Sequence, residues 1–152
     1  MRHGLNWRSG GEMTLSTLTT NRTIRDILLS PADIPAMTGR TLVKEALELM
    51  SAKRLGLACV VDDDGKLIGL FTDGDLRRLL LKSQKPISAL FADDIITHAR
   101  TEFTSVSRNM EIEEALKLLQ DREIFDLPVL DENGRLEGVI HLHPALKELL
   151  AE

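Results

Sequence analysis

EALELMSAKRLGLACVVDDDGKLIGL, residues 45–70, and EALKLLQDREIFDLPVLDENGRLEGV, residues 114–139, are two copies of one pattern set 69 positions apart without a gap. Glu45, Ala46, Leu47, Leu49, Val60, Asp62, Gly65, Leu67 and Gly69 recur as Glu114, Ala115, Leu116, Leu118, Val129, Asp131, Gly134, Leu136 and Gly138, which is 9 identities in 26 pairs. Most other pairs exchange like for like, as Lys53 with Arg122 and Leu55 with Ile124. A unit this small buries its apolar face poorly alone, so it is expected to pack against its copy. Grooves between such halves are where ligands bind.

Working outward, each copy reads as strand, helix, strand, strand, helix. Extended segments are expected at Asp33 to Met37 and Glu102 to Ser107. Leu42, Val43, Ala46, Leu47 and Met50 then recur at helical spacing, as do Ile112, Ala115, Leu116 and Leu119 behind Asn109, a good N-cap type. Ala58 to Val61 and Lys66 to Phe71 flank the turn Asp62 to Gly65. They are mirrored by Leu127 to Leu130 and Arg135 to Ile140 around Asp131 to Gly134, and both read as hairpins. Second helices are expected over Asp73 to Leu81 and Pro144 to Leu150. Thr23 to Leu29 reads as a helical turn before the first copy, and Ile87 to Ile96 takes that place before the second. The boundaries are a flexible tail at 1–22, with Met13 available as an alternative start, a first repeat at 23–86 and a second at 87–152. The fold class is α/β (α+β), two tandem βαββα units related by a pseudo-two-fold.

The 152 residues are 43% hydrophobic and 28% charged with a formal net charge of -5, and no basic stripe is interleaved with aromatics, so nucleic acid is not an expected partner. No apolar run reaches the roughly 18 residues of a membrane span, so no membrane partner is expected either. Met1 to Glu12 lacks the apolar core of a signal peptide. Cys59 is the only cysteine. A reducing, cytoplasmic setting is therefore expected.

Gly69-Leu70-Phe71-Thr72-Asp73-Gly74-Asp75-Leu76-Arg77-Arg78 carries the sharpest local chemistry. A strand ends and a helix begins here, so the Thr72 hydroxyl and the Asp75 carboxylate can cap the free N–H groups. The same junction, with Arg77 and Arg78 beside it, suits a phosphate, and the carboxylate suits two ribose hydroxyls. Both readings stand, because a cap can be recruited by a ligand. Asp62, Asp63, Asp64 and Gly65 do not have calcium-loop spacing and read as a solvated turn. His141 and His143 alternate on one strand end and share a face, yet only His98 and Cys59 could join them, so no metal site is expected. Cys59 reads as a small core residue. No nucleophile turn of a Ser-His-Asp enzyme is present, and no catalytic residue is assigned.

These residues resemble a known family. The duplicated unit, the run Leu127 to Asp131 and the pattern Gly69-apolar-apolar-Thr72-x-x-Asp75 are similar to a tandem pair of cystathionine β-synthase (CBS) domains, the Bateman module, over about Thr23 to Leu150. Phe71 to Arg78 together with Gly138 to His143 look like the C-terminal CBS pair of arabinose-5-phosphate isomerases, which make the precursor of the sugar Kdo with a separate catalytic domain. Nothing resembling that catalytic domain is present, so the resemblance implies a detached or standalone regulatory part and not an enzyme.

The resemblance further implies a nucleotide in the cleft. Thr72 and Asp75 would meet phosphate and ribose, with Asp73, Arg78 and His141 also counted as ligand-binding, and the base would lie against Gly56, Leu57 and Ala58 and near Ile34, Pro35 and Ala36. In the second copy His141 stands for Thr72 and Pro144 for Asp75, so the clefts should be unequal, with the first the better nucleotide site. No cofactor is required. The implied effector is an adenine nucleotide such as AMP or ATP, or a cytidine species such as CMP or CMP-Kdo. The implied partners are a second copy of the chain, paired through its helices into a flat disc, and a catalytic sugar isomerase domain. Two other readings are kept: a fragment of an isomerase enzyme, and an assembly module with empty clefts.

Overall fold

The computed structural model describes residues 23–142. The expected tail over 1–22, His143 and the expected helix from Pro144 to Leu150 lie outside the described residues. The first copy contains β1 (Ala36–Thr38), α1 (Val43–Lys53), β2 (Leu57–Val61), β3 (Leu67–Thr72) and α2 (Asp73–Lys82). Two short helices, α3 (Ile87–Phe91) and α4 (Ile95–His98), lead to the second copy, which contains α5 (Ile112–Arg122), β4 (Asp126–Leu130) and β5 (Leu136–His141).

Helical periodicity becomes burial in both copies. Helix α1 buries Val43, Ala46 and Met50, and α5 buries Ile112, Ala115, Leu116 and Leu119. Both end on a left-handed residue at the same repeat position, Arg54 (φ 57°) and Glu123 (φ 54°). The helix starts differ from expectation. Leu42 is the N-cap of α1 and not part of its stripe, its N–H donating to the Glu45 carboxylate at 2.9 Å. Asn109 does not cap α5. Glu111 holds that position, because the Met110 N–H closes a turn onto the Ser107 carbonyl first, and the Asn109 side chain instead accepts from Arg25 at 3.1 Å.

The sheets reproduce the duplication with one difference. Strand β1 pairs parallel with β2, and β2 antiparallel with β3, giving the order β1-β2-β3. In the second copy β4 and β5 pair alone, and the expected strand Glu102 to Ser107 shrinks to a parallel bridge from Val106 to Val129. Val106 and Val129 are the repeat equivalents of Met37 and Val60, which pair in the first sheet. The first extended segment also begins later than expected, since Pro31–Asp33 forms a 3-10 turn. Both hairpins slip register at the same place, Val60/Val61 and Val129/Leu130.

Both turns close alike. Asp62 Oδ1 accepts from the N–H groups of Asp64 and Lys66, each at 2.9 Å, and Asp131 Oδ1 accepts from Asn133 at 2.8 Å and Arg135 at 2.9 Å. Gly65 and Gly134 sit at φ 82° and 83°. The turn tips then meet across the pseudo-two-fold: the Leu67 N–H donates to Gly134 and the Leu136 N–H to Gly65, both at 3.0 Å. A Cβ on Gly65 would touch nothing within 4 Å, so Gly65→Ala tests backbone conformation alone. Its expected cost is about 1 kcal/mol, measured by urea unfolding, with Gly65→Asn less costly.

Three apolar clusters hold the molecule together. One face of the first sheet packs with Val43, Ala46, Met50, Phe71 and Ile95, and the second sheet packs with Ile24, Ile112, Leu119, Leu127 and Ile140. Between the sheets lies a third cluster drawn from both copies, with Leu57, Cys59, Leu67 and Leu70 against Val139, Leu130 and Leu136.

The connecting segments are exchanged between the halves. Ile24, which precedes the first copy, is buried in the second copy's core, while Ile95, which precedes the second copy, is buried in the first. Leu29 is hydrogen-bonded in both directions to Val139 on β5, and Arg100 in both directions to Leu70 on β3. Leu70 and Val139 are repeat equivalents, and each crossing lies beside a glycine of the repeat, Gly69 or Gly138. These glycines are shared because a backbone passes over each of them.

Candidate functional site

Strand β3 ends at Thr72 in extended backbone (φ -113°, ψ 168°), and α2 begins at the next residue. The Asp75 N–H donates to Thr72 Oγ1 at 3.1 Å, and the Thr72 N–H donates to Asp75 Oδ2 at 2.9 Å. This reciprocal box satisfies two backbone donors that the helix start leaves free. Asp75 is the one buried charged side chain among the described residues, at 8% exposure.

Two arginines complete its surroundings. Arg78 donates from Nη2 to Oδ1 at 2.8 Å, and Arg100 from Nε to Oδ2 at 3.0 Å, both guanidinium groups being half exposed. Burial pushes the Asp75 carboxyl upward, but the hydrogen bonds from Arg78, Arg100 and Thr72 outweigh it and hold the group below the usual aspartate value of 3.8. The carboxylate is therefore ionised at neutral pH and able to accept donors.

The neighbouring candidates assemble at the same end of the first sheet. Leu57 is the cross-strand partner of Thr72. The Asp73 N–H donates to the Gly56 carbonyl at 3.0 Å, and the Asp73 carboxylate lies so close over Gly56 that a Cβ there would overlap it. Ile34 is buried with Leu57 in the cluster between the halves, and the Pro35 carbonyl accepts the Cys59 N–H at 2.7 Å beside Ala36. Ala58 faces the other way, fully buried in the first copy's own core with Phe71, so only its backbone borders this end of β2.

His141 is not part of this group. It occupies the repeat position of Thr72 at the end of β5, and because β3 and β5 leave the antiparallel Lys66–Arg135 bridge in opposite directions, it belongs to the second, symmetry-related end. There its Nδ1 lies 2.6 Å from Asp126 Oδ1. Asp126 stands at the repeat position of Leu57. A Leu–Thr cross-strand pair in the first copy is thus a His–Asp pair in the second, and the two ends differ chemically.

Cys59 is fully buried, and burial, with a smaller contribution from Asp126, pushes its thiol up to about 12. It is a core residue and not a nucleophile. Among the described residues no three His, Cys, Asp or Glu side chains gather as a metal site. Likewise, no described helix is long and apolar enough to cross a membrane.

Arg100 and Asp126 escaped the sequence reading. Arg100 lies 25 positions from Asp75 and reaches it only because its segment folds back onto β3. Asp126 carried a signal that could have been used, since it is the charged member of an otherwise apolar repeat pair.

A family model described as CBS domain matches residues 23–82 and again 92–149. The arabinose 5-phosphate isomerase KdsD of Pseudomonas aeruginosa is 34% identical over 125 residues, covering 82% of this chain and 37% of that protein. The arabinose 5-phosphate isomerase GutQ of Escherichia coli O6:H1 is 37% identical over 109 residues, covering 72% of this chain and 32% of that protein. This chain thus spans about a third of the length of these relatives. Among solved structures, that of CBSX2 in complex with AMP superposes with a TM-score of 0.71 at 27% identity, over 86% of this chain and 98% of that one.

Proposed function

The chain belongs to the CBS domain family, and from that premise we propose that it is a non-catalytic, ligand-sensing regulatory pair that binds a nucleotide at the Thr72–Asp75 end of its inter-repeat cleft. The observation that carries this reading is the ionised, buried Asp75 with Thr72 beside it and two half-exposed guanidinium groups around it. The carboxylate suits ribose hydroxyls and the guanidinium groups suit phosphate. The base lies along Ile34 to Ala36 and the backbone of Gly56 to Ala58. An adenine nucleotide is supported by the likeness to CBSX2, whose structure holds AMP. A cytidine nucleotide or CMP-Kdo is supported by the likeness to the isomerases.

The signal is differential binding. A ligand that favours one arrangement of the halves shifts the population toward it, and an isomerase-type catalytic domain, joined or associated, responds. A second reading, an assembly module, is favoured by the exposed Leu80, Leu81 and Ile87, of which Leu81 is 80% exposed. Pairing of two chains through these helices is compatible with either reading.

The test is a thermal-shift panel with AMP, ADP, ATP, S-adenosylmethionine, CMP, CTP and CMP-Kdo. Ligand at about 100 times its dissociation constant stabilises the folded state by about 2.7 kcal/mol, a shift of several degrees for a chain of this size. A rise confined to one nucleotide class is expected. A flat panel at millimolar ligand overturns sensing and leaves assembly.

A further inference from the structure

This inference rests on the nucleotide reading and names the residue that selects for phosphate. Asp75 already accepts three hydrogen bonds: Thr72 N–H and Arg100 Nε on Oδ2, and Arg78 Nη2 on Oδ1. A carboxylate offers about four acceptor positions, and a ribose presents two hydroxyls. Ribose binding at Asp75 therefore displaces at least one present partner. The Thr72 N–H is held by the cap, so an arginine must leave.

The two arginines are anchored differently. Arg78 stands one turn along α2 from Asp75, on the same helix. Arg100 comes from the segment between the repeats, and its backbone is fixed to β3 by the Arg100 N–H on the Leu70 carbonyl at 2.8 Å and the Leu70 N–H on the Arg100 carbonyl at 2.9 Å. Its position is thus set, while its side chain is 49% exposed and only its Nε is bonded among the described residues. A guanidinium has five N–H donors in a planar fork that matches phosphate.

We propose that Arg100 is the phosphate-selecting residue of this site. Ribose hydroxyls replace Arg100 on Asp75, and the released guanidinium takes the 5′-phosphate, so that a nucleoside monophosphate is bound in preference to its nucleoside.

The experiment is calorimetric titration of the full chain and its Arg100→Gln and Arg100→Lys variants with two matched probe pairs, AMP with adenosine and CMP with cytidine. For the pair that binds, Arg100→Gln is expected to lose tenfold or more in monophosphate affinity while nucleoside affinity is unchanged or improved, since Asp75 is then freed. Arg100→Lys retains part of the preference. A purely structural ion pair would weaken both members equally, so an unchanged monophosphate-to-nucleoside ratio in Arg100→Gln overturns the proposal while leaving the nucleotide reading intact. Absence of binding to all four probes by the unaltered chain overturns the proposal, and together with a flat thermal-shift panel it overturns the nucleotide reading as well.

Discussion

Gly138→Val is expected to destabilise the protein by about 3–5 kcal/mol, with two backbone hydrogen bonds lost and steric overlap added. A Cβ at position 138 would overlap the Leu29 carbonyl oxygen, with Leu28 Cδ1 at 2.5 Å and the Leu29 carbonyl carbon at 3.2 Å. Backbone cannot rotate aside as a side chain can, so the crossing segment must lift. Lifting it breaks the Leu29 N–H to Val139 bond at 2.8 Å and its return bond at 3.0 Å, and it loosens Ile24 from the second copy's core. A domain has only about 5–15 kcal/mol in total, so this is a large fraction. The repeat equivalent provides the control. At Gly69 a Cβ meets Ala99 Cβ at 3.0 Å and the Arg100 carbonyl at 3.4 Å, so Gly69→Ala requires a shift of tenths of an ångström and should cost about 1 kcal/mol. Urea midpoints measure both. Equal small losses at the two glycines would mean that the crossing at Leu29 does not hold the second copy together.

Asp75→Ala is expected to cost about 2–3 kcal/mol at neutral pH, through the lost capping box and two charge-assisted hydrogen bonds. The cost stays below that of breaking a fully buried pair because Arg78 and Arg100 are half exposed and recover water. The pH dependence has a definite sign. The folded carboxyl titrates below its ordinary value, so its contribution is fully present above the unfolded value of about 3.9 and is lost as pH falls through the folded value. The difference between the unaltered chain and Asp75→Ala should therefore be constant above about pH 6 and shrink below about pH 4. Asp93 and Asp131, also held low by their partners, add to acid sensitivity in both proteins and cancel in the difference. Urea midpoints at pH 7, 5 and 3 measure it. A difference that persists undiminished at pH 3 would show that the ionised carboxylate is not its source. Because Asp75 is part of the fold's framework, loss of ligand affinity in this variant alone does not separate binding from capping. The monophosphate-to-nucleoside ratio at Arg100 does.

Elements written in neighbouring residues were legible. The two hairpins could be placed because the Asp-x-x-Gly turns bring their own closure, with Asp62 and Asp131 each accepting two nearby N–H groups. The cap at Thr72 could be placed because its partner is three residues away. The start of α5 could not, since Asn109 has the right chemistry but a preceding turn carries the helix two residues further on. The expected strand near Val106 had the right partner in Val129 but only one bridge, so repeat symmetry overstated the pairing.

The sequence by itself determined the duplication, the hairpin in each copy, the apolar helix faces and the Thr72–Asp75 box, because each depends on periodicity or on spacings of a few residues. Only the tertiary structure decided that Ile24 fills the second core and Ile95 the first, that Gly69 and Gly138 lie under crossing backbones, and that Arg100 reaches Asp75. Those contacts join residues tens of positions apart, and which segment covers which sheet is set by the total apolar surface buried when the halves close, a quantity no local pattern contains.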